Sequence, residues 1–210
     1  MSAGSPPIQE LLDNHAQLVP LTSEQYHRMI QTGILPEGAP IELIDGFLVR
    51  KDRSAAGESV MSIGHEHMWV VKKLARLDGR VSQQGCHVQT QGPVILGEGQ
   101  QPEPDGAILR GQPDDYRRRL ASAADVSCVV EVADSSLTYD RTTKQRIYAD
   151  AGIAQYIIVN LADGIVEVFE RPLAGQGRYS EQQTFARSAT FPMSLPEGRT
   201  IQVEAQSLLP

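Results

Sequence analysis

The 210-residue chain is acidic, with 26 Asp and Glu against 19 Lys and Arg and a formal net charge of −7. That balance argues against tight, nonspecific duplex binding through a uniformly basic surface. Its 40% hydrophobic and 21% charged content is ordinary for a soluble globular protein, and no stretch approaches the roughly 18 apolar residues of a membrane span.

Residues 1–7 lack a basic segment followed by an apolar one, so a cytoplasmic rather than secreted protein is expected. Cys86 and Cys128 lie in strand-like contexts without CxxC spacing and read as core thiols of a reducing compartment. Residues 1–20 read as a flexible N-terminal segment and 21–210 as one domain.

In chain order, Thr22-Ser23-Glu24-Gln25 predicts a capping box that opens a short helix to about Gln31. Residues 41–44 and 47–50 flank Asp45-Gly46, the dipeptide that accepts the positive φ angles of a tight hairpin turn. Residues 51–59 read as a polar loop. Over 62–77 the apolar residues Ile63, Val70, Leu74 and Leu77 recur at helical spacing, with Lys72, Lys73 and Arg76 off the stripe and Asp78-Gly79 as the stop. Strands are expected over 80–91, 93–96, 103–109 and 126–132, with 111–124 as a loop holding a helical turn. A helix follows from about Asp140 to Ala151, closed by Gly152. Residues 155–160 and 165–170 flank Asp163-Gly164 as a second hairpin, 172–177 connect, and the tail offers one strand over 200–204. A helix between strands 126–132 and 155–160 implies a crossover, and therefore a parallel pair in a mixed α/β sheet flanked by helices.

Chemistry concentrates in residues 102–152. Glu131 ends a near-continuous apolar run, where an ionised carboxylate must be paired, hydrogen-bonded or metal-bound; the alternative is a strand-end residue that reaches water or meets Lys144 in a structural salt bridge. Asp105 follows Pro104 and precedes Glu131 by 26 positions, room for a strand, a connection and a neighbouring strand. Taken alone, Pro-Asp-Gly is equally a turn sequence. Lys144 falls on the apolar side of its helix, within about 60° of Ile147, Tyr148 and Ala151, so it needs an anionic partner unless it snorkels to the sheet edge. Glu42 on the early hairpin is a further carboxylate, either in the site or exposed.

His65 and His67 point about 160° apart on a helix and cannot close on one metal, although His65 could border the cleft. Arg117-Arg118-Arg119 reads as a solvated cluster balanced by Asp114 and Asp115. Phosphodiester hydrolysis needs a hard cation held by carboxylates, with a nearby ammonium to stabilise developing charge.

Taken together, Ile41-Glu42-Leu43-Ile44-Asp45-Gly46, Pro104-Asp105, Val130-Glu131-Val132 with Ser135-Ser136, Asp140, Lys144 with Tyr148, and Gly152-Ile153-Ala154-Gln155-Tyr156 resemble the Uma2 family. That family is a branch of the PD-(D/E)XK restriction-endonuclease-like superfamily. The resemblance spans about Ser23 to Arg171. It implies an α-β-β-β-α-β core, with Mg²⁺ or Mn²⁺ on Asp105, Glu131 and the Val132 carbonyl. It also implies Lys144 and Glu42 as the remaining catalytic residues.

The lysine usual two positions after the glutamate is Ala133 here, and Lys144 matches the family's lysine on the following helix. Gln155-Tyr156-Ile157 stands where the family has Glu-Tyr-Trp. The resemblance implies a metal-dependent DNA endonuclease. The alternative is a weakly active or inactive nuclease-fold binding or regulatory module. The exposed hairpin and the C-terminal strand could support a homodimer.

Overall fold

The computed structural model describes residues 17–51 and 64–210. The loose start expected over 1–20, the loop over 51–59 and the first residues of the second helix lie largely outside these.

Helix α1 (Ser23–Gln31) opens on the expected capping box, in which Thr22 and Gln25 satisfy each other's backbone amides. Strands β1 (Ile41–Ile44) and β2 (Phe47–Arg50) pair antiparallel. Their turn residues Asp45 and Gly46 adopt φ of 52° and 77°, the left-handed pair a tight hairpin requires. Gly46 is doubly constrained, because a Cβ there would lie 2.2 Å from Pro20 Cβ. Helix α2 (His65–Ala75) buries Val70, Val71 and Leu74.

The strand expected over 80–91 is a correction. Asp78–Val81 forms a helical turn (α3), Ser82–Gln84 a 3₁₀ turn, and only Cys86–Thr90 is strand (β3). Leu77 and Val81, four apart, both pack into the core beside α2, so a helical repeat wins over the weak alternation of the sequence. Strands β4 (Val94–Ile95) and β6 (Ala121–Ser122) form a small parallel pair.

Strand β5 (Gly106–Arg110) starts three residues later than expected. Pro104 has no N–H to donate to a ladder, and the amides on either side of it are drawn to side chains: Glu103 N to Glu42 Oε1 and Asp105 N to Glu131 Oε2. Strand β7 (Val126–Ala133) is buried along its whole length.

The segment after β7 also differs from expectation. Helical structure begins before Asp140, as a turn at Leu137–Tyr139 (α4), passes through a π-helical stretch at Asp140–Lys144, and resumes as α5 (Gln145–Asp150). Gly152, with φ of 73°, ends it as predicted. Strands β8 (Gln155–Asn160) and β9 (Ile165–Leu173) form the second expected hairpin.

Two further strands, β10 (Arg178–Ala186) and β11 (Thr190–Ser194), precede β12 (Thr200–Glu204). The polar, mostly exposed β10 is an edge strand, which gives it no apolar alternation to read.

Six strands form the main mixed sheet, in the order β10-β9-β8-β7-β5-β3. β7 and β8 are parallel, as the crossover required, and the other pairs are antiparallel. One apolar cluster packs α2 and the β11–β12 hairpin against one face. The other packs α5 and Ile44 of the early hairpin against the opposite face. Cys86 and Cys128 are buried free thiols. No helix among the described residues is long and apolar enough to cross a membrane.

Candidate active site

The β5–β7 register pairs Gly106 with Val130. Carried one residue further, it sets Asp105 opposite Glu131, and opposed residues of an antiparallel pair present side chains to the same face. The ladder stops there, so the Val132 amide is free to donate to Asp105 Oδ2 at 2.9 Å. The Asp105 amide lies 3.3 Å from Glu131 Oε2. Two carboxylates distant in the chain thus share one end of the central strands.

Lys144 closes the cluster from the π-helical stretch. Its Nζ donates to Glu42 Oε1 at 2.7 Å and to Glu131 Oε1 at 3.1 Å, and only 2% of the residue is exposed. Snorkelling to solvent is therefore excluded. Tyr148 adds a second donor to Glu131 Oε1, its hydroxyl 2.7 Å away. Glu42 is 1% exposed, not a solvent-facing strand glutamate, and also accepts from the Glu103 amide at 2.6 Å. Lys51 stands at the edge, 3.9 Å from Glu42 and 3.6 Å from the Glu103 carboxylate.

The residue not foreseen is His67. Its Nε2 lies 2.9 Å from Asp105 Oδ2, while His65 is exposed at the start of α2. The two histidines diverge as expected, and the inward one is a neighbour of the carboxylate. The buried His67 Nδ1 has no hydrogen-bond partner among the described residues. The arginine cluster lies elsewhere: Arg119 forms a bidentate pair with Asp125 and stacks over Tyr116, while Arg117 meets Asp114 at 4.0 Å in solvent.

Burial raises the Glu131 carboxyl above its usual range; Lys144 opposes this and Asp105 adds to it. Burial pushes Asp105 the same way, but His67, Lys51 and the Val132 amide outweigh it and hold Asp105 low. Burial would lower the Lys144 ammonium, yet Glu131 and Glu42 raise it, so it is charged at neutral pH. Asp140, buried four residues before Lys144, is pushed up to about 7 by burial and by Glu131, although Ser136 donates to it at 2.5 Å.

Glu42, Asp105 and Glu131 outnumber Lys144, and Lys51 at the rim does not remove the surplus negative charge. Hydrogen bonds also leave one oxygen of each strand carboxylate lightly used. Glu131 Oε2 meets only the long Asp105 amide contact, and Asp105 Oδ1 has no donor among the described residues. No group of three or more His, Cys, Asp or Glu residues converges as a metal cage among the described residues. A Mg²⁺-type ion is ordinarily held by one or two carboxylates with waters and substrate phosphate. The two opposed strand carboxylates offer hard oxygen donors of that kind.

The fold is a helix-flanked mixed sheet, with two opposed carboxylates at one end of its central strands and a lysine on the crossover helix. The chain belongs to the Uma2 family, described as "Putative restriction endonuclease", which it matches over residues 23–204. Among solved structures it is similar to "a putative nuclease belonging to DUF820" from Anabaena variabilis ATCC 29413. That match has a TM-score of 0.63 at 16% identity and covers 90% of this chain and 97% of the other. No curated protein matches the chain.

Proposed function

We propose that this protein is a Mg²⁺- or Mn²⁺-dependent endonuclease that hydrolyses DNA phosphodiester bonds. In this reading Asp105 and Glu131 hold the cation, with the Val132 carbonyl as a third oxygen donor, and Lys144 and Glu42 complete the catalytic set. One observation carries it: a fully buried lysine bridges two glutamates beside the opposed Asp105, leaving surplus negative charge at the end of the central strands. When bound, the cation supplies Lewis acidity to a phosphoryl oxygen and lowers the pKa of an attacking water.

The chain's own residues supply the rest. His67 and the Val132 amide keep Asp105 ionised and fix one of its oxygens. Lys144 and Tyr148 occupy Glu131 Oε1, which leaves Oε2 as the donor. Lys144 also places a fixed positive charge where negative charge grows in the transition state. Glu42 holds that ammonium in place and accepts the amide that leads into Pro104 and Asp105.

A second reading rests on the same lysine. With its ammonium engaged by both glutamates, the fold could serve as a binding or regulatory module that does not cut.

Purified protein incubated with supercoiled plasmid, linear duplex and single-stranded DNA in Mg²⁺ or Mn²⁺ tests the nuclease reading. Cleavage abolished by EDTA and by Asp105→Asn is the expected result. Cleavage that survives Asp105→Asn and Lys144→Met overturns these assignments. A folded protein that neither cleaves nor binds Mn²⁺ by calorimetry supports the module.

A further inference from the structure

The candidate site is acidic, as is the whole chain, so a polyanionic substrate needs attraction from somewhere else. Helix α2 provides a place for it. Its inward side carries Val70, Val71 and Leu74 into the core, and His67 reaches Asp105 from its first turn. At about 100° per residue, His65, Trp69, Lys72, Lys73 and Arg76 gather within roughly 100° of arc on the opposite side. That stripe runs about 16 Å along the axis at 1.5 Å per residue. Glu66 is the only acid in the helix.

Two features mark this stripe. Lys72, Lys73 and Arg76 gather on one helix face, and among the described residues none of the three meets a carboxylate at ion-pair distance. Unpaired arginines also occur elsewhere among the described residues, as at Arg28, Arg50 and Arg178, while Arg110, Arg119, Arg146 and Arg171 pair with carboxylates. The chain's single tryptophan, Trp69, lies in the middle of the stripe and is 36% exposed. Lys73 Nζ stands 4.6 Å from its ring centroid. Cations interleaved with an exposed aromatic suit a nucleic-acid strand, whose phosphates take the charges and whose bases take the π-face.

We propose that the outward face of α2 is a docking surface for the phosphate backbone of a nucleic-acid strand, which it leads to the carboxylate cluster at the helix's first turn. The proposal rests on the nuclease reading for the strand's destination, but its test needs no cleavage.

Because Trp69 is the only tryptophan, its fluorescence reports this face alone. Single-stranded and duplex oligonucleotides are titrated into the full chain without Mg²⁺ or Mn²⁺, with a labelled oligonucleotide followed by anisotropy in parallel. Saturable tryptophan quenching coincident with the anisotropy rise is expected. The Lys72→Gln/Arg76→Gln pair, both exposed, should bind about ten-fold more weakly. Its salt slope should fall by roughly 1.4 for single strands or 1.8 for duplex, two phosphate contacts' worth. Lys72→Arg/Arg76→Lys should bind as the wild type does.

Anisotropy that rises without quenching, or wild-type affinity and slope in the Gln pair, overturns the docking face. So does the absence of any binding; cleavage in Mn²⁺ by the same preparation would then leave the nuclease reading standing. A fluorescence change that follows protein concentration rather than oligonucleotide assigns the face to a second copy and also overturns the proposal. Quenching with the predicted slopes in a protein that never cleaves supports the dock and removes the nuclease reading.

Discussion

Lys144→Met tests the electrostatic design of the site most severely. The ammonium is almost wholly buried and lies 2.7 Å from Glu42 and 3.1 Å from Glu131. Methionine fills similar volume without charge and leaves two buried glutamates uncompensated. Breaking a buried ion pair by removing one partner costs about 3–5 kcal/mol, and here both glutamates lose the same cation. In a chain of this length about 1 kcal/mol moves Tm by roughly 2–4 °C, so a fall of about 6–20 °C is expected without metal. Lys144→Met/Glu42→Gln should recover part of that loss, because one orphaned charge is removed with its partner. Saturating Mn²⁺ should recover part of it as well, since a dication supplies the missing positive charge. Thermal and urea unfolding at pH 7.5 with and without Mn²⁺ give the Tm shift and both recoveries. A Lys144→Met protein within about 1 kcal/mol of the wild type would refute the claim that this amine balances the two glutamates.

Three further outcomes follow from the same geometry. His67→Ala removes the donor 2.9 Å from Asp105 Oδ2, so Asp105 becomes harder to ionise; Mn²⁺ affinity by calorimetry should fall about 10–100-fold, the usual loss for an outer-shell partner, and unchanged affinity would sink this role. The Asp140 pKa is raised from 3.8 to about 7, so the stability contributed by its protonated form is complete below about 3.8 and is lost as pH rises through about 7. Asp140→Asn should flatten that part of the metal-free stability–pH curve, measured by urea unfolding from pH 5 to 8. Gly46→Ala places a Cβ against Pro20 at a φ of +77° and should destabilise the protein by about 1–3 kcal/mol; a Tm within 1 °C of wild type would show that the hairpin tip does not need its glycine.

The sequence carried the carboxylates and the lysine because each stands out against apolar neighbours. Glu131 lies in a fully buried strand and Lys144 on the apolar side of its helix. Asp105 reads equally as a turn or a site residue in the sequence, and only the end of the β5–β7 ladder sets its amide beside Glu131.

His67 escapes the sequence because the spacing of the two histidines speaks only to whether they share a metal. Which of them faces Asp105 depends on how α2 lies across the sheet, a long-range matter with no local signal. Tyr148 reads as apolar by spacing, and its hydroxyl becomes visible as a donor only once Glu131 is beside it. The π-helical stretch at Asp140–Lys144 escapes a fixed 100° repeat by its nature. Edge strand β10 owes its existence to β9 rather than to its own polar residues.

Crystals soaked in Mn²⁺ and measured at an energy where manganese scatters anomalously address the central claim most directly. The account predicts one strong peak within about 2.0–2.3 Å of Asp105 and Glu131 oxygens, absent from Glu131→Gln crystals. Manganese bound elsewhere in a cleaving enzyme, or a peak untouched by Glu131→Gln, would contradict it.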